Sequence, residues 1–210
     1  MLTLYDMQIS GNCYKVRLLL KLLRQEFESR LIEPYSGQSQ TSSFKEINPN
    51  SSVPILVLED GTAIAESNAI LLYLAEETAY LPKDKMKRAM VYQWLFFEQY
   101  SHEPKIAVRM SLSLVPARAH EATKDRMASL LEGGNKALDV MEDWLSTNDY
   151  FSGDEFSVAD IALYAYTHKA KSGGFDLTHR SAILAWLKRV RERDNFISID
   201  WVSPNASALD

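Results

Sequence analysis

The residues best suited to chemistry lie just before the first predicted helix, in the segment SGNCYKVR from Ser10 to Arg17. The hydroxyl of Ser10 and the amide of Asn12 stand where free backbone N–H groups and the positive end of the helix dipole favour an anion. A thiol bound there would meet donors that prefer its thiolate, so its pKa of about 8.5 should fall by about one to two units. The same residue types are also typical of an ordinary helix N-cap, and the residues alone leave both interpretations open.

Cys13, the single cysteine of the chain, lies in the same segment. It shares the apolar face of the predicted helix with Val16 and Leu20, which favours a small core residue over a reactive one. A mixed disulfide between Cys13 and a thiol ligand is the alternative. One cysteine excludes an internal disulfide framework and is typical of a reducing compartment. The basic side chains of this helix are placed off its apolar face: Lys15, Arg17, Lys21 and Arg24.

A second informative segment runs from Asn48 to Glu76, NPNSSVPILVLEDGTAIAESNAILLYLAE. Residues 55–58 form an apolar run that is typical of a short strand. Asp60-Gly61 is a strong two-residue hairpin signal, after which residues 62–64 can return beside the first strand. From Ser67 the apolar residues recur at helical spacing, which predicts a helix.

The start of this helix also carries groups that could bind a charged ligand. Its N–H groups and the Ser67 hydroxyl suit a carboxylate, and Glu66 suits an ammonium group. An N-cap role for these residues is compatible with such binding. Before the first strand of this hairpin, a cis Val53-Pro54 bond would expose the N–H and C=O of Val53 for pairing with an extended peptide. An ordinary trans proline is the alternative reading.

The elements that position these groups follow a simple order. A strand at residues 2–5, a helix from Cys13 and a strand at residues 27–33 suggest a parallel β-α-β crossover. With a short turn at residues 44–47 and the hairpin, the order is β-α-β-(α)-β-β-α, which is thioredoxin-like. No strand pattern follows it. The sequence therefore predicts an α/β domain at residues 1–79, a linker at 80–84 and an all-helical domain at 85–210, with Ser203 to Asp210 as a loose tail.

Composition narrows the function classes. The 210 residues carry a net charge of −5, and no basic block stands out, which argues against a nucleic-acid surface. No apolar run approaches membrane-spanning length, and no secretory leader is evident, so we expect a cytoplasmic protein without a membrane partner. The histidines lack metal-ligand spacing, and no metal is expected.

Taken together, these motifs resemble the cytosolic glutathione transferases. Val53-Pro54 matches the Val-Pro before the third strand of that family, where the proline is cis. The run from Glu66 to Ile70 matches the Glu-Ser-x-Ala-Ile opening of its next helix. Ser10 lies six residues before Val16, the spacing of the catalytic serine in serine-type members. Asn12 matches an asparagine used by some bacterial and fungal relatives.

This resemblance implies roles for individual residues. Ser10 and Asn12 would stabilise the glutathione thiolate electrostatically, with Ser10 the first choice. Val53 and Pro54 would hold the cysteinyl part, and Glu66 with Ser67 the γ-glutamyl end. Cysteine-type members place their reactive cysteine at the Ser10 position, so Cys13 does not correspond to it.

The sequence also departs from the family pattern. Many relatives have His-Lys facing the glycyl carboxylate, where this chain has Ser39-Gln40. They often have Gly followed by Lys, Arg or Gln before Val-Pro, where this chain has Ser51-Ser52. Gln40 and Ser52 are therefore candidates as neutral donors to that carboxylate, without charge assistance.

In the helical domain, Ser157 to Asp160 forms a capping box that is expected to serve folding. By analogy, the aromatic helix from Tyr92 to Tyr100 and the helix bearing Tyr164 would wall the pocket for an electrophile, although most of these aromatics suit a core. Arg109 and Tyr164 are the polar members proposed for this pocket.

The sequence thus predicts a homodimeric glutathione transferase that uses glutathione as co-substrate and a small hydrophobic electrophile. One alternative keeps the site and changes the chemistry to glutathione-dependent peroxide or disulfide reduction. Another is a non-catalytic binding module of the same fold. A third is an interaction protein that binds no small ligand.

Overall fold

The computed structural model describes residues 1–33 and 35–209, which form two compact units. The first unit contains Met1–Glu76 together with the C-terminal residues from Asp194 onward. The second contains Glu77–Arg193. The first unit holds a mixed β-sheet with helices, and the second is helical, so the predicted fold class is confirmed.

The sheet of the first unit has five strands in the order β4-β3-β1-β2-β5. The central strand β1 pairs in parallel with β2 and antiparallel with β3, and β3 pairs antiparallel with β4. The parallel pair is connected through helix α1, as a β-α-β crossover requires. The strand bounds are β1 Leu2–Asp6, β2 Phe27–Leu31, β3 Ile55–Val57, β4 Ala63–Ala65 and β5 Ala206–Ala208.

In the described part of this unit the α-helices are α1 Gly11–Leu22, α2 Ser42–Ile47 and α3 Ser67–Ala75. A 3₁₀ turn, Gln38–Gln40, precedes α2. Apolar side chains of α1 and α3 pack against the sheet in one buried cluster. Its members are Leu4, Val16, Leu20, Phe27, Leu56 and Ile70. A smaller cluster contains Ile32, Phe44 and Ile55. The hairpin between β3 and β4 turns at Gly61, whose positive φ of 86° explains why glycine follows Asp60 there.

The expectation of a loose C-terminal tail is wrong. β5 pairs in parallel with β2, so the described part of this tail closes the sheet, and Asp210 lies outside the described residues. The domain prediction of 85–210 as all helical fails for the same reason. The strand consists of Ala-Ser-Ala, whose small residues give little strand signal, and only pairing with a distant edge strand makes it extended.

The predicted domain boundary also differs from the structure. The two units divide between Glu76 and Glu77, rather than at a linker of residues 80–84. Leu81 is buried, and the backbone N–H of Val158 donates to the carbonyl of Tyr80 at 3.0 Å. The segment expected to be a linker is therefore packed as part of the helical unit.

The helical unit is built from α4 Lys85–Phe97, α5 Glu103–Leu114, α6 Lys124–Leu145, α7 Val158–Thr167 and α8 Ser181–Arg191. A π-helical turn, Glu98–His102, joins α4 to α5, and Pro104 lies in the first turn of α5. Trp94 packs on Phe151 with ring centroids 4.6 Å apart, so this aromatic belongs to the core. Short 3₁₀ turns at Pro116–Glu121 and Ala170–Gly173 complete the unit.

The predicted capping box at the start of α7 is confirmed. The Ser157 side chain accepts from the helix backbone, and Asp160 accepts from the Ser157 N–H at 2.9 Å. Asp160 also accepts from the Trp186 indole N–H at 2.9 Å, which ties α7 to α8. Burial raises the pKa of Asp160 to about 6. This cluster serves folding, as expected.

Candidate active site

The N-terminus of α1 is capped by Ser10. Its Oγ accepts a hydrogen bond from the Cys13 N–H at 3.3 Å, and its backbone is extended, with φ −77° and ψ 125°. The N-cap reading is therefore correct. It leaves the catalytic reading in place, because a hydroxyl that accepts through a lone pair retains its own hydrogen for donation.

Cys13 is fully buried beneath this cap. Its Sγ accepts from the Met7 N–H at 3.3 Å, and burial raises the pKa of the thiol to about 12, with Asp6 adding to the rise. A thiol in this state is neither a nucleophile nor a ready partner for a mixed disulfide. The structure agrees with the interpretation of Cys13 as a core residue.

The N-terminus of α3 lies next to the N-terminus of α1. Glu66 precedes the helix with a positive φ of 69° and an exposed side chain, and Ser67 is buried in the first turn. The Ser67 hydroxyl donates to Oδ1 of Asn12 at 3.4 Å. Two residues that are 55 positions apart in the chain, one from each predicted motif, are thus in contact.

Lys15 also belongs to this group, and the sequence reasoning missed it. Its side chain is completely buried, and its Nζ donates to Oγ of Ser67 at 3.3 Å and to Oδ1 of Asn68 at 3.4 Å. The sequence pattern places Lys15 among the basic side chains off the apolar face. The available signal was its spacing, because Lys15 follows Asn12 by three positions and so shares its side of α1.

The Val53-Pro54 peptide bond is cis, as the resemblance implies. Among the described residues, none forms a hydrogen bond with the backbone N–H or C=O of Val53. The buried side chain of Asn48 supports the preceding turn, because its Nδ2 donates to the Ser52 carbonyl at 2.9 Å. The Ser52 side chain is exposed and contacts the same amide nitrogen at 3.4 Å.

Gln40 ends the 3₁₀ turn before α2 with its side chain exposed. The neighbouring Gln38 organises this loop, a role that the sequence did not reveal. Its Oε1 accepts from the Glu33 N–H at 2.8 Å, and its Nε2 donates to the Leu209 carbonyl at 3.2 Å. Pro34 lies outside the described residues.

A buried ion pair supports the loop that carries Ser10. The Arg17 guanidinium contacts the Asp6 carboxylate, and it also donates to the Gln8 carbonyl at 2.9 Å and to the Ile199 carbonyl at 3.2 Å. The Gln8 amide donates to the same Ile199 carbonyl at 2.8 Å. Burial raises the pKa of Asp6, and Arg17 acts against this shift. The C-terminal segment therefore closes over the β1–α1 loop.

Two predicted residues have structural roles in the helical unit. The Arg109 guanidinium donates to the backbone carbonyls of Gly173, at 2.6 Å, and of Met127. Tyr164 is only 2% exposed and stacks on His168 with ring centroids 4.8 Å apart. Burial raises the pKa of its phenol to about 12. Neither set of contacts supplies a reason to assign the residue to substrate.

Comparison with known proteins decides the family. Residues 9–77 match the family model of the glutathione S-transferase N-terminal domain, and residues 105–194 match that of the C-terminal domain. A glutathione S-transferase from Pseudomonas fluorescens Pf-5, solved by crystallography, is 45% identical, with a TM-score of 0.91, 94% of this chain covered and 98% of the other. The chain belongs to the glutathione S-transferase family.

More distant glutathione S-transferase relatives have two kinds of name. Glutathione S-transferase D6 of Drosophila melanogaster is 28% identical over 90% of this chain and 86% of its own length. The disulfide-bond oxidoreductase YghU of Escherichia coli is also 28% identical, over 84% of this chain and 64% of its own length.

The family and the enzyme class predicted from the sequence are confirmed. The assignment of roles to Ser10, Asn12 and the other site residues stays a prediction. Within residues 1–33 and 35–209, no helix is both long and apolar enough to cross a membrane. The same residues contain no group of three or more histidine, cysteine or acidic side chains that could hold a metal ion.

Proposed function

We propose that this glutathione S-transferase binds glutathione in its first unit and activates the thiolate for attack on an apolar electrophile. The observation that carries the proposal is the contact of Asn12 with Ser67, which joins the N-termini of α1 and α3. Each terminus offers backbone N–H groups and a positive dipole end, and glutathione presents an anionic thiolate and a carboxylate to them.

At the thiol end, the Ser10 hydroxyl and the Asn12 amide are the proposed donors, with Ser10 the principal one. Neither residue transfers a proton during the attack. Their hydrogen bonds favour the thiolate over the thiol, which lowers the pKa of the bound sulfur and keeps it nucleophilic at neutral pH.

At the peptide end, the N–H groups of the first α3 turn and the Ser67 hydroxyl receive the γ-glutamyl carboxylate, and Glu66 pairs with its ammonium group. The unused backbone groups of Val53 pair with the cysteinyl part, as an added strand would. Gln40 and Ser52 donate to the glycyl carboxylate. Because both are neutral, this end contributes less affinity than a basic pair would.

Glutathione-dependent disulfide or peroxide reduction is the second candidate. It is favoured by the similarity to the Escherichia coli disulfide-bond oxidoreductase and by the presence of Asn12 inside the hydrogen-bonded group. A non-catalytic module has less support, because the residues whose loss would mark that case, Ser10, Pro54, Glu66 and Ser67, are all present.

We also propose that the protein is a homodimer. The helical unit exposes large apolar side chains on α4 and the turn that follows it, namely Met86, Phe96 and Tyr100 at 70%, 73% and 88% exposure. Exposed apolar side chains of this size are the kind that a dimer interface would cover. Sedimentation equilibrium should give twice the chain mass of 23.9 kDa. A monomer at micromolar concentration would contradict this proposal.

Steady-state kinetics test the catalytic proposal. We expect saturation with glutathione and turnover of a chloronitrobenzene, with a lower rate on cumene hydroperoxide. Comparable or higher rates with the hydroperoxide, or with a glutathione-linked disulfide, would favour the reductase alternative. Failure to bind glutathione in a calorimetric titration would overturn both and favour a module without a small ligand.

A further inference from the structure

Lys15 is unusual because its charged side chain is completely buried. Lysine is almost never fully buried unless its ammonium group is paired, because removing the charge from water is costly. Here Nζ donates to Ser67 and Asn68, both in the first turn of α3. The buried Lys15 side chain therefore contacts the helix terminus that is proposed to bind the γ-glutamyl carboxylate.

The direction of the hydrogen bonds follows from the donors available. An ammonium group only donates, so Oγ of Ser67 must accept from Lys15. The single hydroxyl hydrogen of Ser67 then points to Oδ1 of Asn12, 3.4 Å away. This orients the Asn12 amide with its oxygen towards Ser67. The donor nitrogen, Nδ2, lies at the other end of the amide.

We propose that Lys15 is a positioning residue of the glutathione site, which acts through Ser67 on both the carboxylate-binding end and the Asn12 amide. This inference rests on the proposed function. It assigns to one side chain the alignment of two helix termini that meet in the first unit.

The charge of Lys15 acts in the same direction as its hydrogen bonds. The γ-glutamyl carboxylate and the thiolate are both anions, and a positive charge in a buried, low-dielectric setting favours each of them. The N-terminal dipole of α3 adds to this field. Loss of Lys15 should therefore weaken glutathione binding and raise the pKa of the bound thiol together.

A purely structural role makes a different prediction. If Lys15 only filled space between α1 and α3, a side chain of similar length would replace it without any effect on the thiol. Lys15→Met supplies such a side chain, since it is unbranched and apolar. Lys15→Gln is shorter and neutral, but its amide nitrogen can still donate to Ser67.

The experiment measures the KM for glutathione and the pH profile of kcat/KM in wild type, Lys15→Met and Lys15→Gln. With Lys15→Met we expect KM to rise about tenfold or more, as loss of a charged hydrogen bond would cause. Its acidic limb should move up by about one pH unit, towards the pKa of a free thiol. Lys15→Gln should recover part of the loss in KM and a smaller part of the pH shift, because it restores a donor without the charge.

Asn68→Ala is the matched control. It removes a hydrogen bond of Lys15 that does not lead to Asn12, so KM and the acidic limb should stay within about twofold and about 0.3 pH unit of wild type. Thermal unfolding of each variant shows whether it is folded. If Lys15→Met does not fold, Lys15→Gln alone carries the test through its shifted acidic limb.

Three results would overturn the inference: an unchanged pH profile in the folded Lys15 variants, an equal effect of Asn68→Ala, or Lys15→Gln as impaired as Lys15→Met. Failure of the proposed function looks different. In that case wild type itself would show no saturation with glutathione and no acidic limb near the pKa of an activated thiol.

Discussion

Two loops of the first unit carry proposed glutathione contacts, and they are held in opposite ways. The loop between β1 and α1, which ends at Ser10, is fastened from inside by the buried pair of Asp6 and Arg17 and by the C-terminal segment. The loop before α2, which contains Gln40, is exposed and is held mainly by the side chain of Gln38.

This difference matches the task proposed for each loop. Stabilisation of a thiolate depends steeply on donor position, so the loop at the thiol end benefits from a rigid support. The glycyl carboxylate is remote from the reacting sulfur, and neutral donors on an exposed loop suffice to hold it. Variants of the first loop should therefore affect stability and thiol chemistry, and variants of the second should affect affinity alone.

The largest effect is expected from Arg17→Met. This change leaves the Asp6 carboxylate buried without its cation, which should lower the free energy of unfolding by about 3–5 kcal/mol. Arg30→Met is the control, because Arg30 forms a partly exposed pair with Glu28 at 2.8 Å and should cost less than about 1 kcal/mol. Urea unfolding measures both.

The loss of unfolding free energy caused by Arg17→Met should depend on pH. Burial already raises the pKa of Asp6, and without Arg17 it rises further. A carboxyl whose pKa is higher in the folded state stabilises the fold at low pH, and this contribution is lost as pH rises through the folded pKa. The loss of stability in Arg17→Met should therefore be larger at neutral pH than at acid pH. Equal stability of Arg17→Met and Arg30→Met would contradict the account of this loop.

Gln38→Ala should have a smaller effect, confined to binding. Removal of its two hydrogen bonds loosens the loop before α2, and we expect the KM for glutathione to rise about threefold, as for one lost neutral hydrogen bond. Stability should change by less than about 0.5 kcal/mol. Gln25→Ala should change neither quantity, because within the described parts of the chain this exposed amide is bonded only to the neighbouring Glu26 carbonyl. A shifted thiol pKa in Gln38→Ala would erase the proposed distinction between the loops.

Cys13→Ala should have almost no effect on activity. Because the pKa of the buried thiol is raised to about 12, native protein should resist iodoacetamide at pH 8, whereas urea-unfolded protein should react. We expect kcat/KM within about twofold of wild type, as is usual for a small change of volume away from the reacting atoms. Rapid labelling of native protein would mean that the loop above Cys13 opens and is not rigid.

Local signals explain what the sequence predicted well. The hairpin at Asp60-Gly61 and the capping box of Ser157 and Asp160 each depend on residues a few positions apart, and the structure contains both. The contact between the two site motifs required their fold, and resemblance to the family supplied it. On local grounds Ser10 suited both a helix cap and a thiolate-binding site, and the resemblance to the family made it the first catalytic candidate.

The missed features depend on partners that are distant in the chain. The sequence pattern places Lys15 and Arg17 off the apolar face of α1, and basic side chains are usually exposed. Lys15 is buried by the start of α3, and Arg17 by Asp6 and the C-terminal segment. That segment itself, Ala206–Ala208, has almost no strand propensity of its own. Its position is set by pairing with the edge of β2, and Arg17 and Gln8 hold the chain before it at the Ile199 carbonyl.

The central claim is that the first unit holds glutathione as a thiolate through Ser10 and Asn12. An ultraviolet difference titration of bound glutathione against pH, in wild type, Ser10→Ala and Asn12→Ala, tests it most directly. The account predicts a depressed thiol pKa in wild type that returns towards its free value in Ser10→Ala. Restoration in Asn12→Ala alone would favour the reductase chemistry, and no thiolate signal at saturating glutathione would contradict the claim.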